Sequence, residues 1–166
     1  IISFYEAYHG STYGALSLSA INLNMTKNIG PLLPEFYHFS YPICLRCKYG
    51  KNKADCSLEC LNEIEYAFKH YLPPDEVAAV FFEPIAGDAG LIVLSIKYVN
   101  GLYELCKKHD ILFVVDEIQQ GVGHTGKWFS IEHFNVEPDL IVMGKSIGGG
   151  LPLGVIIGKA DIIDSL

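Results

Sequence analysis

Ile111-Leu112-Phe113-Val114-Val115-Asp116-Glu117 is the stretch on which the fold turns. An unbroken apolar run with β-branched and aromatic residues leads straight into two carboxylates. A run this short and this continuous has the make-up of a strand buried on both faces. Two other runs share the design. Val77 to Phe82 ends at Glu83-Pro84, and Leu140 to Met143 ends at Gly144-Lys145. Between the first two, Ser95 to His109 has helical spacing, with Val99, Leu102, Tyr103 and Cys106 on one face. Strand, helix and strand in that order imply a crossover and parallel pairing. Val155 to Ile157 follows a glycine-rich turn and is expected to pair antiparallel. The fold class that results is α/β, a mostly parallel sheet flanked by helices.

Working outward toward the start of the chain, Asn28 to Pro34 is expected to be a loop. Glu35 to Tyr41 alternates aromatic and polar residues as a short strand does. Ser57 to Leu72 carries Leu58, Leu61, Ile64, Phe68, Tyr71 and Leu72 at helical spacing, and Pro73-Pro74-Asp75 stops that helix. No internal repeat or low-complexity segment interrupts the 166 residues, a length that suits one domain.

Composition narrows the function. Half of the residues are hydrophobic, enough for a real core. The formal net charge is −7, from 12 basic and 19 acidic residues. Arg46 is the one arginine. So acidic a chain lacks the electrostatic footprint of a nucleic-acid binder. It also lacks a basic helix for a membrane surface. No apolar run reaches the ~18 to 20 residues that cross a bilayer. Ile1-Ile2-Ser3-Phe4 carries no basic region of a signal peptide, which sets the expectation of a cytoplasmic protein.

Ligands of open parallel sheets bind outside the carboxyl ends of the strands. The three buried runs deliver Glu83, Asp116 and Lys145 to that edge. Each residue alone has a structural explanation, since an acid there caps a following helix. Three together, with opposite charges, point to a site. A lysine amine shielded from water attacks a carbonyl carbon. Pyridoxal phosphate supplies such a carbonyl, and its pyridine nitrogen needs a carboxylate partner to stay protonated. Lys145 suits the first role and Asp116 the second.

Four motifs then carry a resemblance. Val115-Asp116-Glu117-Ile118-Gln119-Gln120-Gly121-Val122-Gly123-His124-Thr125-Gly126-Lys127-Trp128-Phe129 and Pro138-Asp139-Leu140-Ile141-Val142-Met143-Gly144-Lys145-Ser146-Ile147-Gly148-Gly149-Gly150-Leu151-Pro152 resemble the cofactor signatures of the class III pyridoxal-phosphate aminotransferases. Tyr8-His9-Gly10-Ser11-Thr12 is similar to that family's aromatic-His-Gly-x-Thr segment. Glu83-Pro84-Ile85-Ala86-Gly87-Asp88 is similar to its Glu-Pro-x-x-Gly-acid segment. The resemblance covers nearly the whole chain. It implies the type I, aspartate-aminotransferase-like fold and a homodimer with its active sites at the subunit interface.

The same resemblance implies residue roles. Lys145 matches the Schiff-base lysine and Asp116 the partner of the pyridine nitrogen. Gln119 matches the residue that bonds the ring hydroxyl. Ile118 and Tyr8 would cover the two faces of the ring, and Glu83 would join the network near the hydroxyl. His9 is expected among the cofactor-binding residues as a structural hydrogen-bonder. Asp88 stands where many members carry a glutamate that swings between two substrates. His124 replaces a usual arginine. Residues 1–166 are expected to form part of the large domain, without the loop that cradles the cofactor phosphate and without the C-terminal small domain. Weak cofactor binding or none is expected of this piece alone. Gly148-Gly149-Gly150 lacks the order of a phosphate-binding P-loop and is expected to be a tight turn beside the cofactor.

Cys44, Cys47, Cys56 and Cys60 form two close pairs. Their spacing is open to free thiols, to a zinc or iron–sulfur group, or to two disulfides. The histidines show no metal-ligand spacing. For function the leading expectation is an aminotransferase that moves an amino group, including that of an ω-amino acid, to a 2-oxo acid. The first alternative is an amino-acid 2-epimerase of the same fold, because Gln119-Gln120, Gly87-Asp88 and Gly144-Lys145-Ser146 look similar to class III epimerases acting on branched apolar amino acids. A non-catalytic, metal-binding relative is the second alternative.

Overall fold

The computed structural model of the chain describes residues 1–52 and 54–165. A six-stranded sheet forms its centre. In chain order the strands are β1 (Ile2–Phe4), β2 (Tyr37–Phe39), β3 (Ala79–Phe82), β6 (Leu112–Asp116), β7 (Leu140–Met143) and β8 (Val155–Gly158). Two further strands, β4 (Ile85–Ala86) and β5 (Ile92–Val93), pair with each other in a separate antiparallel ribbon. The order across the sheet is β2-β1-β3-β6-β7-β8. All pairings are parallel except the last, where β8 runs against β7. The parallel sheet with an antiparallel edge strand is therefore the one expected from the sequence.

Four helices accompany the sheet: α1 (Tyr13–Leu18), α2 (Glu59–His70), α3 (Ile96–Lys108) and α4 (Ala160–Ile163). The longest, α3, makes the crossover between β3 and β6. The Ser95 side chain caps it by accepting from the Tyr98 amide at 3.1 Å. Lys107 and Lys108 in the last turn complement the helix dipole. Tyr98, Val99, Leu102, Leu105 and Cys106 are buried. Tyr103 is partly buried, edge-on to Phe113 with ring centroids 5.4 Å apart. Gly101 lets α2 approach closely, because a Cβ there would lie 2.8 Å from Leu61 Cδ2.

The core gathers Ile2, Phe4, Val80, Phe82, Phe113 and Val115 from the strands and Leu61, Ile64, Val99 and Leu102 from the helices. Burying each large apolar side chain contributes about 1.5–3 kcal/mol. Three details depart from the expected elements. Leu58 is the residue before α2, held in the left-handed region at φ 62°. Tyr71 was expected on the apolar face, but the helix ends at His70 and Tyr71 turns outward, 60% exposed. Finally, β1 and α1 were not foreseen, although β1 lies between β2 and β3. No helix among the described residues is long and apolar enough to cross a membrane.

Candidate active site

Parallel strands put their carboxyl ends on one edge, and that edge holds the chemistry. Asp116 is the last residue of β6, Glu83 directly follows β3, and Lys145 lies just beyond β7. The loop after β1 brings in Tyr8 and His9. These five residues line one cavity of about 210 Å³ together with Asp88, Ile118 and Gln119. Every residue singled out for a cofactor or substrate thus reaches the same place. A hollow of about 450 Å³ near Tyr5 and His38 is larger. Its central carboxylate, Glu63, already accepts from Lys48, Tyr49 and Ser40, so size does not decide between them.

Asp116 is 4% exposed, and both its oxygens are held. Oδ2 accepts from His9 Nδ1 at 2.8 Å, and Oδ1 accepts from the Ile118 amide at 2.9 Å. His9 is itself fixed. Its amide donates to Ser19 Oγ at 2.9 Å, and its ring stands edge-on to Phe81 at 4.7 Å. Donation from Nδ1 leaves Nε2 buried without a partner among the described residues. The imidazole therefore lies behind the carboxylate and orients it, as second-tier partners do at many sites.

Glu83 closes the other side. One oxygen accepts from the Tyr8 amide at 3.3 Å and the other from the Gly87 amide at 3.1 Å. Burial pushes its carboxyl above the ordinary range, and the Gly87 bond opposes that only in part. The Tyr8 hydroxyl lies 3.2 Å from Ser11 Oγ. Ile118 packs against the backbone of Gly144, where a Cβ would meet its Cγ2 at 3.4 Å. Asp88 is exposed on the cavity rim and has no hydrogen bond or ion pair to a described residue.

Lys145 opens a short 3₁₀ turn, Lys145–Gly148, with φ 46°. A side chain in the left-handed region costs roughly 1–2 kcal/mol per residue. Strain of this kind gathers at functional positions. The lysine was expected to be shielded from water, but its side chain is exposed in this chain. The open cavity wall around it is the reason, since Lys145 lies on the rim of a turn beyond the sheet.

One buried residue went unremarked in the sequence, and the contacts of His124 emerge only in the fold. Glu117 next to Asp116 is a buried strut. Its carboxylate accepts from the Ser130 amide at 3.0 Å, the Ile131 amide at 2.8 Å and Ser130 Oγ at 2.8 Å. Burial pushes its carboxyl up despite those donors. Glu117→Ala should cost about 2–4 kcal/mol, because two buried amides lose their acceptor. Urea unfolding of the full-length protein measures it, and a loss under about 1 kcal/mol would contradict the strut. His124 stands in the place of the usual arginine. Its Nδ1 donates to the Gly121 carbonyl at 2.8 Å, and its Nε2 lies 3.5 Å from Ser146 Oγ. It links the turn after β6 to the turn that carries Lys145.

The cysteines lie elsewhere. Cys44, Cys47 and Cys56 line a separate hollow of about 170 Å³. All five cysteines are free thiols. Burial, with Cys56 nearby, pushes the Cys60 thiol up to about 12. Among the described residues no group of three His, Cys, Asp or Glu side chains is placed to hold a metal ion.

The Lys145 side chain and the fixed Asp116 carboxylate thus line one cavity at the sheet's carboxyl edge. The chain belongs to the class III aminotransferase family, whose model, Aminotransferase class-III, matches residues 1–166. It is similar to the isoleucine 2-epimerase of Lentilactobacillus buchneri, 46% identical over 167 residues, covering 100% of this chain and 37% of that protein. It is also similar to a probable 4-aminobutyrate aminotransferase of Bacillus subtilis, 36% identical over 168 residues, covering 99% and 38%. Among solved structures, the ornithine aminotransferase of Toxoplasma gondii, which has partial occupancy of pyridoxal phosphate at its active site, superposes with a TM-score of 0.80 at 32% identity, covering 99% and 34%. The fold is thus that of the pyridoxal-phosphate transaminases. The chain spans little more than a third of the length of the relatives it matches.

Proposed function

We propose that the full-length protein is a pyridoxal-phosphate enzyme that moves the proton on the α-carbon of an amino acid, with Lys145 as its base. The observation that carries this reading is the meeting of Lys145 and Asp116 in one cavity. The site's residues fit the cofactor. The cavity of about 210 Å³ exceeds the ~150 Å³ that accepts a benzene ring. Asp116, held by His9 and the Ile118 amide, would serve as the carboxylate partner of a ring nitrogen. When bound, the cofactor supplies an electron sink for the α-carbon and a carbonyl carbon for the lysine amine.

The chain's own residues do the rest. Asp116 holds the proton on the ring nitrogen, and His9 keeps that carboxylate in place. Gln119 donates its amide to the ring hydroxyl, while Glu83 ties down the Tyr8 and Gly87 amides beside it. Ile118 and Tyr8, both lining the cavity, would cover the ring faces and keep water off them. Lys145 Nζ would hold the cofactor and serve as the base at the substrate α-carbon. Residues 1–166 belong to the large, cofactor-binding domain. The phosphate-cradling loop and the small domain come from the rest of a full-length homodimer.

Where the proton returns decides the product. Return to the α-carbon from the opposite face inverts it, and we favour this outcome for a branched apolar amino acid. Two observations support inversion. Over nearly the same residues the epimerase relative is 46% identical and the aminotransferase 36%. In addition, Asp88 lines the cavity and has no hydrogen-bond or ion-pair partner among the described residues, which suits it to act as a second acid–base group. Amino transfer to a 2-oxo acid is the second reading, favoured by the transaminase fold of the solved neighbour.

The assay gives the full-length holoenzyme single L-isoleucine without any oxo acid and follows it by chiral chromatography. Formation of the 2-epimer is expected. Asp88→Asn should slow it about 100-fold, the scale of one lost acid–base group. Unchanged configuration, with amine transfer only after a 2-oxo acid is added, would discard inversion and establish transfer.

A further inference from the structure

We infer that Gly87 is a positioning residue for Gln119: the missing side chain at 87 is what allows the Gln119 amide to lie at the cavity wall. The inference rests on the reading of Gln119 as the contact to the cofactor's ring hydroxyl. A Cβ built on Gly87 would fall 1.4 Å from Gln119 Oε1 and 2.5 Å from its Cδ. No side chain larger than hydrogen coexists with that amide. The backbone of Gly87 lies outside the left-handed region, so conformation does not call for a glycine here. The space does.

Gly87 serves the site twice. It opens the turn that joins β4 to β5, and its amide donates to Glu83 Oε1 at 3.1 Å. The peptide that fixes Glu83 is therefore the one against which Gln119 rests. The two side chains come from different strands, Glu83 from the end of β3 and Gln119 from beyond β6. Gly87 sets their spacing. Alanine at 87 leaves the backbone donor in place and pushes away only the flexible end of Gln119. The fold should hardly notice, whereas the position of the amide should change.

The test compares full-length wild type, Gly87→Ala, Gln119→Ala and the double variant. Crystal structures of the first two read where the Gln119 amide lies. Titration with pyridoxal phosphate reads the Kd and the pH midpoint of the bound cofactor's visible absorption. Gly87→Ala is expected to displace the amide and to leave the apo Tm unchanged. It should weaken the cofactor about 3- to 10-fold, the worth of one hydrogen bond. It should also shift the absorption midpoint in the same sense as Gln119→Ala. The double variant should match Gln119→Ala, because without the amide the new methyl meets nothing. An undisplaced Gln119, or effects that add in the double variant, overturns the role of Gly87 alone. A displaced amide with unchanged Kd and midpoint in all three variants overturns the ring-hydroxyl role of Gln119, and the role of Gly87 falls with it.

Discussion

Lys145→Ala in the full-length enzyme is expected to abolish turnover, with kcat down at least about 10⁴-fold, the upper range for a single acid–base group. The lysine is the one amine among the residues that line the cavity. Among the described residues no second lysine lines that cavity, and Lys107 and Lys159 are paired with Asp139 elsewhere. Lys145→Arg should be equally inactive. It keeps the positive charge but presents a guanidinium that does not deprotonate and does not attack carbonyls. The pair of variants therefore separates charge from nucleophilicity. Borohydride reduction of the wild-type holoenzyme should fix the cofactor to the peptide containing Lys145. Turnover within tenfold of wild type in either variant would rule the scheme out.

The second large effect is Asp116→Asn, for which a drop in kcat of about 10³-fold or more is expected. The substitution preserves shape but removes the anion that, in the proposed role, would keep a ring nitrogen protonated and the electron sink strong. Its amide group must also face either the His9 Nδ1 donor or the Ile118 amide, both of which now donate to the carboxylate. A buried donor facing a donor costs about 1–3 kcal/mol. Exchange of the substrate α-proton with deuterated water measures the chemical step directly. Exchange within tenfold of wild type would show that Asp116 does not act on the ring.

Much of this was legible in the chain. The runs ending at Glu83, Asp116 and Lys145 are apolar, short and rich in valine, isoleucine and phenylalanine, and β3, β6 and β7 form there. Periodicity located α3 because it buries one full face against the sheet. Strand β1 was missed for a physical reason. Only Ile2, Ser3 and Phe4 pair, and Ser3 is buried by donating its hydroxyl to the Leu18 carbonyl at 2.7 Å. A polar residue satisfied by a distant carbonyl leaves no pattern in a short window. Tyr71 was misplaced because spacing alone does not show where a helix stops. At the site, the motifs pointed to all the cavity residues. Glu117 and Gly87 stayed hidden, since a strut and a gap show their purpose only once Ser130, Ile131 and Gln119 are folded against them.

Strand pairing sets one last property. Asp116 is in register with Val142 of β7, and Lys145 lies in the turn that follows that strand. Main-chain hydrogen bonds between β6 and β7 therefore help set the gap between the two side chains. Main-chain spacing is indifferent to most side-chain replacements. Side-chain changes across the sheet's faces should therefore leave the separation of Asp116 and Lys145 largely unaltered.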